Sequence, residues 1–190
     1  MQLWELIAVD VDSGARRLVS EYGARLYATA YRICGNEKDA EDIVQRTFVR
    51  VVERIGTFNG KSAFFTWMCA ILVNFHRMDK RGKARNALLT VEESAVDVAD
   101  VHPDPAERMA EEDEAAVIRR AVAQLPDLER ETVVLHYFNG LSVPEIARMQ
   151  KTPEGTVYYR LHQARTEVRE FLAKVFGSDG IRQNGKATAR

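Results

Sequence analysis

The sequence is poor in the residues that build metal centres and disulfide frameworks. It has only two cysteines in 190 residues, Cys34 and Cys69, and they form no CxxC pair. The four histidines are scattered, without the spacing of metal ligands. These absences exclude a disulfide scaffold and a zinc ribbon, and they are typical of proteins from a reducing cytoplasm. We therefore expect a cytoplasmic protein without metal or cofactor.

Long apolar runs and catalytic motifs are missing as well. No run of about 18 apolar residues occurs, so no membrane insertion is expected. The apolar N-terminus lacks a basic segment and carries Glu5, Asp10 and Asp12, which argues against a signal peptide. No GxxxxGKS/T, GxSxG or HExxH pattern is present. The sequence thus predicts no catalytic residue and no enzyme.

The formal net charge of −1 conceals a strong asymmetry along the chain. The stretch Glu92–Glu114 contains ten acidic residues and one basic residue, a net charge of −9. The remainder therefore carries +8. A chain that is basic outside one acidic stretch is compatible with nucleic-acid binding in a way that its total charge is not.

The N-terminal part predicts three helices. Apolar residues recur at three- and four-residue steps over Ala15–Ile33 and Asp39–Ile55, which is typical of amphipathic helices. Gly35 is expected to stop the first helix, and Asn36 to cap the second. Ser62 is expected to cap the third. No convincing period-two alternation occurs in this part, so we expect no strand there.

An unusual stretch, Phe58–Arg85, combines aromatic and basic residues. Five aromatic residues occur between Phe58 and Phe75, and five cations with one acid follow between Arg77 and Arg85. Aromatic rings can stack on unpaired bases while cations follow phosphates. The alternative is an ordinary core helix with a solvated end, because aromatic residues at helical spacing are usually core. The stretch alone does not distinguish the two.

The C-terminal part predicts further helices after a change in composition. Residues 87–103 are acidic and aperiodic, and we expect a flexible linker there. Asp104 starts a capping box for one helix, and Asp127 is expected to cap the next, through Phe138. The β-branched and aromatic residues before Asn139-Gly140 leave a strand and hairpin turn open for that segment. We expect an all-α protein of two small domains, residues 1–86 and 104–176, with a disordered tail at 177–190.

Residues 142–177 have the pattern of a helix-turn-helix. Ser142 and Glu145 predict a capping box on a short helix, and Thr152-Pro153-Glu154-Gly155 opens a longer one that ends at Gly177. The start of the second helix offers amides to a phosphate, and its polar outer face suits the major groove of duplex DNA. A plain helical hairpin in a bundle is the alternative. Residues expected at this surface are Thr152, Gly155, Thr156, Tyr158, Tyr159, Arg160, His162, Gln163 and Arg165.

With one surface suited to unstacked bases and another to duplex, the chain resembles a bacterial sigma factor of the extracytoplasmic-function (ECF) group. The resemblance rests on DAEDIVQRTFVRVVERI (Asp39–Ile55), FNGKSAFFTWMCAILVNFHRMDKR (Phe58–Arg81) and LSVPEIARMQKTPEGTVYYRLHQAR (Leu141–Arg165), in this order and spacing. It covers about residues 15–175. It implies a promoter-specificity subunit that binds core RNA polymerase and promoter DNA, with control by an anti-sigma partner.

The resemblance also implies roles for particular residues. The second helix is expected to dock on the polymerase through Asp42, Gln45, Phe48 and Val49. The helix-turn-helix is expected to read the −35 element with the residues given above. The linker is expected to thread toward the active-site and RNA-exit channels. Recognition and melting of the −10 element are expected to involve Phe58, Asn59, Gly60, Lys61, Ser62, Phe64, Thr66, Trp67, Asn74, Arg77, Lys80 and Arg81.

Three positions depart from the family's usual pattern. Arg46 stands where an acid usually follows the glutamine of the docking helix, so the polar contacts with polymerase are expected to differ. Gln150-Lys151 replaces the usual turn glycine of the helix-turn-helix. Tyr158-Tyr159 replaces a basic residue and a serine, which predicts more apolar contact with thymine methyls or hydroxyl bonds to phosphates at the −35 element.

Three other functions are considered beside a sigma factor. A conventional helix-turn-helix regulator with a sensor domain would bind duplex operator without polymerase. An RNA-binding adaptor would prefer single-stranded RNA. A metal- or redox-sensing enzyme would need cysteines and histidines at a closer spacing than Cys34, Cys69 and the histidines have.

Overall fold

The computed structural model describes residues 2–89 and 114–184, here called the N-terminal half and the C-terminal half. All elements in these two ranges are helical, which confirms the all-α class. The N-terminal half contains α1 (Leu3–Val9), α2 (Val11–Cys34), α3 (Glu37–Arg54), a 3-10 turn (Ile55–Thr57) and α4 (Phe64–Leu89). The C-terminal half contains α5 (Glu114–Ala123), α6 (Asp127–Val133), a π-helical segment (Val134–Phe138), α7 (Val143–Gln150) and α8 (Glu154–Asn184).

Helix α1 precedes the first helix that the sequence pattern predicts. Its Leu3 and Ile7 are buried against α2. The contact is close because Gly14 of α2 has no side chain, and a Cβ there would lie 2.6 Å from the Ile7 Cα. Such a separation is far below van der Waals contact, so α1 can pack here only on a glycine. This close approach fixes α1 on the N-terminal half.

Helices α2 and α3 have the ends that their sequences predict. Gly35 terminates α2 in the left-handed region with φ 79°, which a glycine adopts without strain. Asn36 caps α3, its side-chain oxygen accepting a 2.9 Å hydrogen bond from the Asp39 amide. Helix α4, however, begins at Phe64 with Ala63 before it, so Ser62 is not its cap. The capping prediction at Ser62 was therefore wrong by one residue.

The helix starts observed in the C-terminal half differ from those that the sequence predicts. The helix start at Asp104 and linker residues 90–103 lie outside the described residues, while 87–89 belong to α4. Pro126 occupies the cap position of α6, so Asp127 is its first residue and not its cap. The helix continues through the π-helical segment to Phe138, and Gly140 follows with φ 73°. The strand and hairpin alternative for this segment is thereby excluded.

The helix-turn-helix has the expected form. Glu145 accepts hydrogen bonds from the Ser142 amide (2.9 Å) and hydroxyl (2.7 Å), completing the capping box of α7. Lys151 makes the turn in the left-handed region, with φ 52°. Val157 and Leu161 of α8 are buried. Helix α8 runs to Asn184, so Gly177 is not its end, and only residues 185–190 of the predicted disordered tail lie outside the described residues.

The two halves pack directly against each other. Arg130 of α6 is buried and donates from Nε to the Ile33 carbonyl near the end of α2 (3.0 Å). Thr29 of α2 donates to the Asn139 side-chain oxygen (3.1 Å). Arg25 donates from Nη2 to the Asn139 carbonyl (3.1 Å). These bonds satisfy a helix end and a turn across the junction, and the buried apolar residues of both halves form one continuous cluster.

Candidate polymerase and promoter interface

The predicted docking face lies on the outer side of α3. Asp42, Gln45 and Val49 are exposed, and Phe48 is half-buried against the core. Three of the four residues can thus meet a partner directly, and Phe48 supports the face from beneath.

Arg46 organises the charges on this face. It bonds Asp42 at 2.6 Å and makes a bidentate pair with Asp79 of α4 at 2.9 and 3.0 Å. Its guanidinium also lies 4.5 Å from the Phe75 ring centroid. The hydrogen bond to Asp79, followed by that to Asp42, raises the pKa of Arg46 above its ordinary value. Arg46, which stands where the family usually has an acid, therefore connects α3 to α4 and neutralises part of the docking face.

The aromatic residues of the predicted −10 loop form one cluster. The Phe58 ring centroid lies 5.1 Å from that of Phe64 and 5.4 Å from that of Trp67. Trp4 of α1 completes the cluster, 5.2 Å from Phe58. Phe64 is 5% exposed, so its position in this structure is that of a support beneath Phe58 and not of a ring open to a base. Phe58 and Trp67 are half-buried and have partly open faces.

Trp4 is a residue of this cluster that the sequence interpretation missed. The sequence does contain a helical signal here, because the apolar residues Leu3 and Ile7 lie four positions apart and flank Trp4. The segment is only seven residues long. Isolated helices so short are marginal, and tertiary packing decides whether they form.

The polar part of the loop bends tightly next to a cleft. Asn59 accepts a 3.1 Å hydrogen bond from the Lys61 amide, and Gly60 has φ 71°. Lys61, Ser62, Thr66 and Trp67 line one wall of a cleft of about 270 Å³, and residues of α7, among them Glu145 and Arg148, line the other. Thr66 donates to Glu145 across it at 3.3 Å. The predicted −10 loop thus faces the helix-turn-helix in this structure.

The basic end of α4 is largely engaged in ion pairs. Arg77 bonds Glu131 of α6, and Lys80 bonds Asp127 at 2.9 Å. Asn74 and Arg81 are exposed. Of the five polar residues that the sequence assigned to the −10 element in this helix, Asn74 and Arg81 therefore point to solvent, while the other three bond the C-terminal half.

Glu131 is the most deeply buried acid of the junction, at 1% exposure. Arg77 donates to both of its oxygens, from Nη2 at 2.7 Å and Nε at 3.2 Å, and Gln150 adds a 2.8 Å bond from Nε2. Burial raises the pKa of Glu131, and the Arg77 guanidinium opposes that rise. Sequence reasoning missed Glu131 and the role of Gln150, because a lone acid in a charged segment and a turn glutamine carry no distinguishing pattern.

The predicted −35 surface is the outer face of α8. Tyr158 and Tyr159 are 58% and 60% exposed, and the Tyr159 hydroxyl accepts a 2.8 Å bond from Gln163. Arg160 donates to the Gln150 side-chain oxygen at 2.6 Å. The Thr156 amide already bonds the Pro153 carbonyl, which leaves Glu154 and Gly155 as the amides suited to a phosphate. Gly155, His162 and Arg165 are exposed, while Thr152, Thr156, Arg160 and Gln163 are half-buried.

Comparison with known proteins identifies the family of this chain. The model of sigma-70 region 2 matches residues 18–86, and that of sigma-70 region 4 matches residues 115–168. The chain belongs to the sigma-70 family. The two matched regions contain every residue predicted above to meet polymerase or promoter.

Individual relatives place the chain in the ECF group of sigma factors. It is 34% identical to the ECF RNA polymerase sigma factor SigE of Mycolicibacterium smegmatis over 83% of this chain, and the alignment spans 61% of that relative's length. It is 29% identical to the ECF RNA polymerase sigma factor SigW of Bacillus subtilis, over 82% of this chain and 87% of the relative.

Two solved structures share the fold of this sigma factor. One is the sigma factor RpoE in complex with the anti-sigma factor NepR from Bartonella quintana, with a TM-score of 0.64, 24% identity and coverage of 83% of this chain and 94% of that one. The other is CnrH in complex with the cytosolic domain of CnrY, with a TM-score of 0.61, 24% identity and coverage of 90% and 96%.

The cysteines and histidines of this sigma factor do not form a reactive centre within the described ranges. No group of three or more His, Cys, Asp or Glu residues suited to a metal ion occurs among residues 2–89 and 114–184. Cys34 Sγ lies 3.7 Å from His76 Nδ1, but burial raises the pKa of the Cys34 thiol to about 12. Burial also raises the pKa of Cys69 to about 12. Thiols in this state are poor nucleophiles and metal ligands.

None of the described helices combines the length and apolar character needed to cross a bilayer.

Proposed function

We propose that this sigma factor gives core RNA polymerase its promoter specificity. The chain docks through the outer face of α3, reads the −35 element with the outer face of α8, and captures an unpaired −10 base at the Phe58 loop. The observation that carries the proposal is the match of the chain to region 2 and region 4, together with the exposure of Val49 on α3 and of Tyr158 and Tyr159 on α8. Catalysis belongs to the polymerase, and the site of action is the cytoplasm.

Transcription with purified components tests this function. Core polymerase plus the full chain is expected to start transcripts at a small set of promoters from the source genome, and core polymerase alone is not. A conventional regulator would instead shift duplex operator in a gel without polymerase, and an RNA-binding adaptor would prefer single-stranded RNA to non-template promoter strand. Absence of sigma-dependent initiation at every promoter of that genome would refute the proposal.

Docking through α3 has a matched pair of test residues. Val49 of α3 is 59% exposed on the proposed docking face, and Val19 of α2 is 52% exposed elsewhere. A glutamate at either position adds the same charge at a similar exposure. Val49→Glu is expected to weaken binding to core polymerase by about tenfold or more, the loss of one well-packed contact. Val19→Glu is expected to leave it unchanged, and equal effects of the two would contradict the proposed face.

Capture of the −10 base depends on the aromatic cluster. Extruding a base costs a few kcal/mol, and stacking on an aromatic ring returns about 1–3 kcal/mol. Phe58 is suited to this because Trp4, Phe64 and Trp67 hold its ring from three sides. Phe58→Ala is expected to lower open-complex formation, seen as lost permanganate reactivity of −10 thymines. Phe58→Leu, which keeps the apolar bulk of the cluster without a ring, separates stacking from packing.

The two tyrosines of α8 define the proposed −35 contacts. Tyr158 and Tyr159 both stand out from the helix, and Gln163 orients the Tyr159 hydroxyl. Tyr159→Phe removes the hydroxyl alone, and Tyr159→Ala removes the ring as well. If the hydroxyl bonds a phosphate, both variants weaken −35 binding equally; if the ring contacts a thymine methyl, only the alanine variant does. Unchanged −35 binding and selectivity in Tyr158→Ala and Tyr159→Ala would refute any role of these residues.

An anti-sigma partner is part of the proposal. Both solved structures described above are complexes, one with the anti-sigma factor NepR and the other with the cytosolic domain of CnrY. We expect an affinity-tagged copy of this chain to retain a dedicated partner from its own cells, and that partner to suppress transcription in the purified system.

A further inference from the structure

Gln150 is a buried polar residue at the turn of the helix-turn-helix. It is the last residue of α7 and is 6% exposed. Its side-chain nitrogen donates to Glu131 Oε1 at 2.8 Å and to Thr132 Oγ1 at 3.0 Å. Its side-chain oxygen accepts the 2.6 Å bond from Arg160 Nη1. All four residues belong to the C-terminal half, and the amide connects α6 to the proposed −35 surface.

The orientation of this amide is fixed from both sides. The Thr132 hydroxyl already donates to the Leu128 carbonyl at 2.6 Å, so it can only accept from Gln150. The group that faces Thr132 must then be the amide nitrogen, which leaves the amide oxygen toward Arg160. The reverse orientation would set N–H donors against a guanidinium, which has no acceptor. Gln150 is therefore held as an acceptor for Arg160.

The bond to Gln150 uses only one edge of Arg160. Nη1 is engaged, whereas Nε and Nη2 donate no hydrogen bond within residues 2–89 and 114–184. These two nitrogens form the opposite edge of the guanidinium, a fork that matches paired acceptors such as guanine O6 and N7 or two phosphate oxygens. A long side chain that is already held by Nη1 also loses less rotamer freedom when it binds DNA.

We propose that Gln150 is a positioning residue for −35 recognition, which holds Arg160 by Nη1 and presents its Nε–Nη2 fork to paired acceptors on the DNA. Glu131 and Thr132 act through Gln150, because they fix the amide that Arg160 bonds. Loss of the amide would let the guanidinium turn toward Glu131, the acid that bonds the same amide. The role of Gln150 rests on the proposed function in one respect, the contact of α8 with the −35 element.

A double-mutant cycle between Gln150 and Arg160 tests this role. The full chain is assembled with core polymerase, and its binding to a promoter found in the transcription test is measured by fluorescence anisotropy. Arg160→Ala is expected to weaken binding about tenfold or more, the loss of one bidentate contact. Gln150→Met keeps the side-chain volume without the hydrogen bonds and is expected to weaken it about threefold or more. In the Arg160→Ala background, Gln150→Met is expected to have no further effect.

Two controls separate positioning from a general loss of structure. Gln124→Met makes the same change at an exposed position of the C-terminal half and is expected to leave binding unchanged. Arg169→Ala removes a cation from an exposed position of α8 outside the proposed −35 surface, and Gln150→Met is expected to keep its full effect in that background. An effect of Gln150→Met that is equal with and without Arg160, or no effect at all, would refute the positioning role.

The form of the DNA contact is tested at Arg160 and on the DNA. A lysine keeps the charge but has no planar fork, so Arg160→Lys is expected to bind about as weakly as Arg160→Ala, and wild-type binding would contradict a fork. Guanines of the −35 element are replaced one by one with 7-deazaguanine, and its phosphates with methylphosphonates. A loss of binding that occurs in wild type and not in Gln150→Met identifies guanine or phosphate as the acceptor. No such loss at any position would overturn the fork.

Nuclear magnetic resonance of the free chain tests the bond between Gln150 and Arg160 without polymerase or promoter. A guanidinium held by Nη1 rotates slowly, so Arg160, assigned by its absence in Arg160→Lys, is expected to show separate Nη signals that merge in Gln150→Met. If Gln150→Met fails to fold, Gln150→Asn, whose shorter side chain withdraws the amide from Arg160, is judged by the same criteria. Merged signals in wild type would overturn the positioning role alone. Separate signals with no −35 binding in any variant would overturn the proposed function and, with it, the role in recognition.

Discussion

Replacing Gly14 by alanine perturbs the −10 loop from a site outside it. A Cβ at position 14 would lie 2.6 Å from the Ile7 Cα, 2.7 Å from its Cγ1 and 2.8 Å from its amide nitrogen. Two of these atoms are backbone, so a side-chain rotation cannot relieve the overlap and α1 must move away from α2. Trp4 moves with α1, and Phe58 then loses one of the three rings that hold it.

The expected loss of folding stability depends on the apolar side chains that α1 buries. Leu3 and Ile7 are 4% and 0% exposed, and each buried side chain contributes about 1.5–3 kcal/mol, so complete detachment would cost at most about 3–6 kcal/mol. A small backbone shift that keeps the contact costs about 1–3 kcal/mol. The better helix propensity of alanine returns about 1 kcal/mol. We expect a net loss of about 0–2 kcal/mol if α1 keeps the contact, and of at most about 2–5 kcal/mol if it detaches.

Gly23 of the same helix provides the matched control. A Cβ there would meet only Val19 Cγ1, at an ordinary contact distance of 3.6 Å. Gly23→Ala is therefore expected to stabilise the chain by about 0.5–1 kcal/mol. Urea unfolding followed by the fluorescence of the two tryptophans, Trp4 and Trp67, measures both the free energy and the environment of α1. If Gly14→Ala is as stable as Gly23→Ala, or its emission is unshifted, the close packing of α1 is refuted.

Three further changes have expected outcomes. Lys151→Gly relieves a left-handed backbone with φ 52° and should stabilise the chain by about 1 kcal/mol in thermal unfolding, whereas no gain would contradict strain at this turn. Burial lowers the pKa of His76, so the folded state takes up fewer protons than the unfolded chain just below about pH 6.5, and stability should fall as pH drops from there. His76→Gln should lose less stability than wild type between about pH 7.5 and 5.5 in urea titrations, with a substitution of the exposed His162 as control. The Ser142 hydroxyl and then its amide lower the pKa of Glu145, so Glu145→Gln should cost about 1 kcal/mol near neutral pH and nothing once pH falls well below about 4.

Elements whose ends depend on local chemistry could be predicted from the sequence. Gly35, Asn36 and the Ser142–Glu145 box act on backbone groups within a few residues, so their patterns were sufficient. Ser62 has the chemistry of a cap but lies one position too early, because the burial of Phe64 and not the capping bond decides where α4 begins.

Contacts between distant parts of the chain could not be predicted in the same way. The Arg77–Glu131 pair joins residues 54 positions apart, and either residue alone resembles any charged surface residue. The π-helical segment at Val134–Phe138 is similar, since its β-branched and aromatic residues favour a strand until packing against α2 is known. The candidate −35 residues followed from the helix-turn-helix pattern, and the candidate −10 residues from the aromatic–basic stretch together with the family resemblance; their contacts with DNA stay predictions.

The charge triad on α3 and α4 has a consequence for the evolution of the group. Arg46 is bonded to both Asp42 and Asp79, so these three positions form one electrostatic unit. In relatives that carry an acid at position 46, the same arrangement would bring three carboxylates together without a cation. We therefore expect position 79 to be neutral or basic in those relatives, and the two positions to covary across the group.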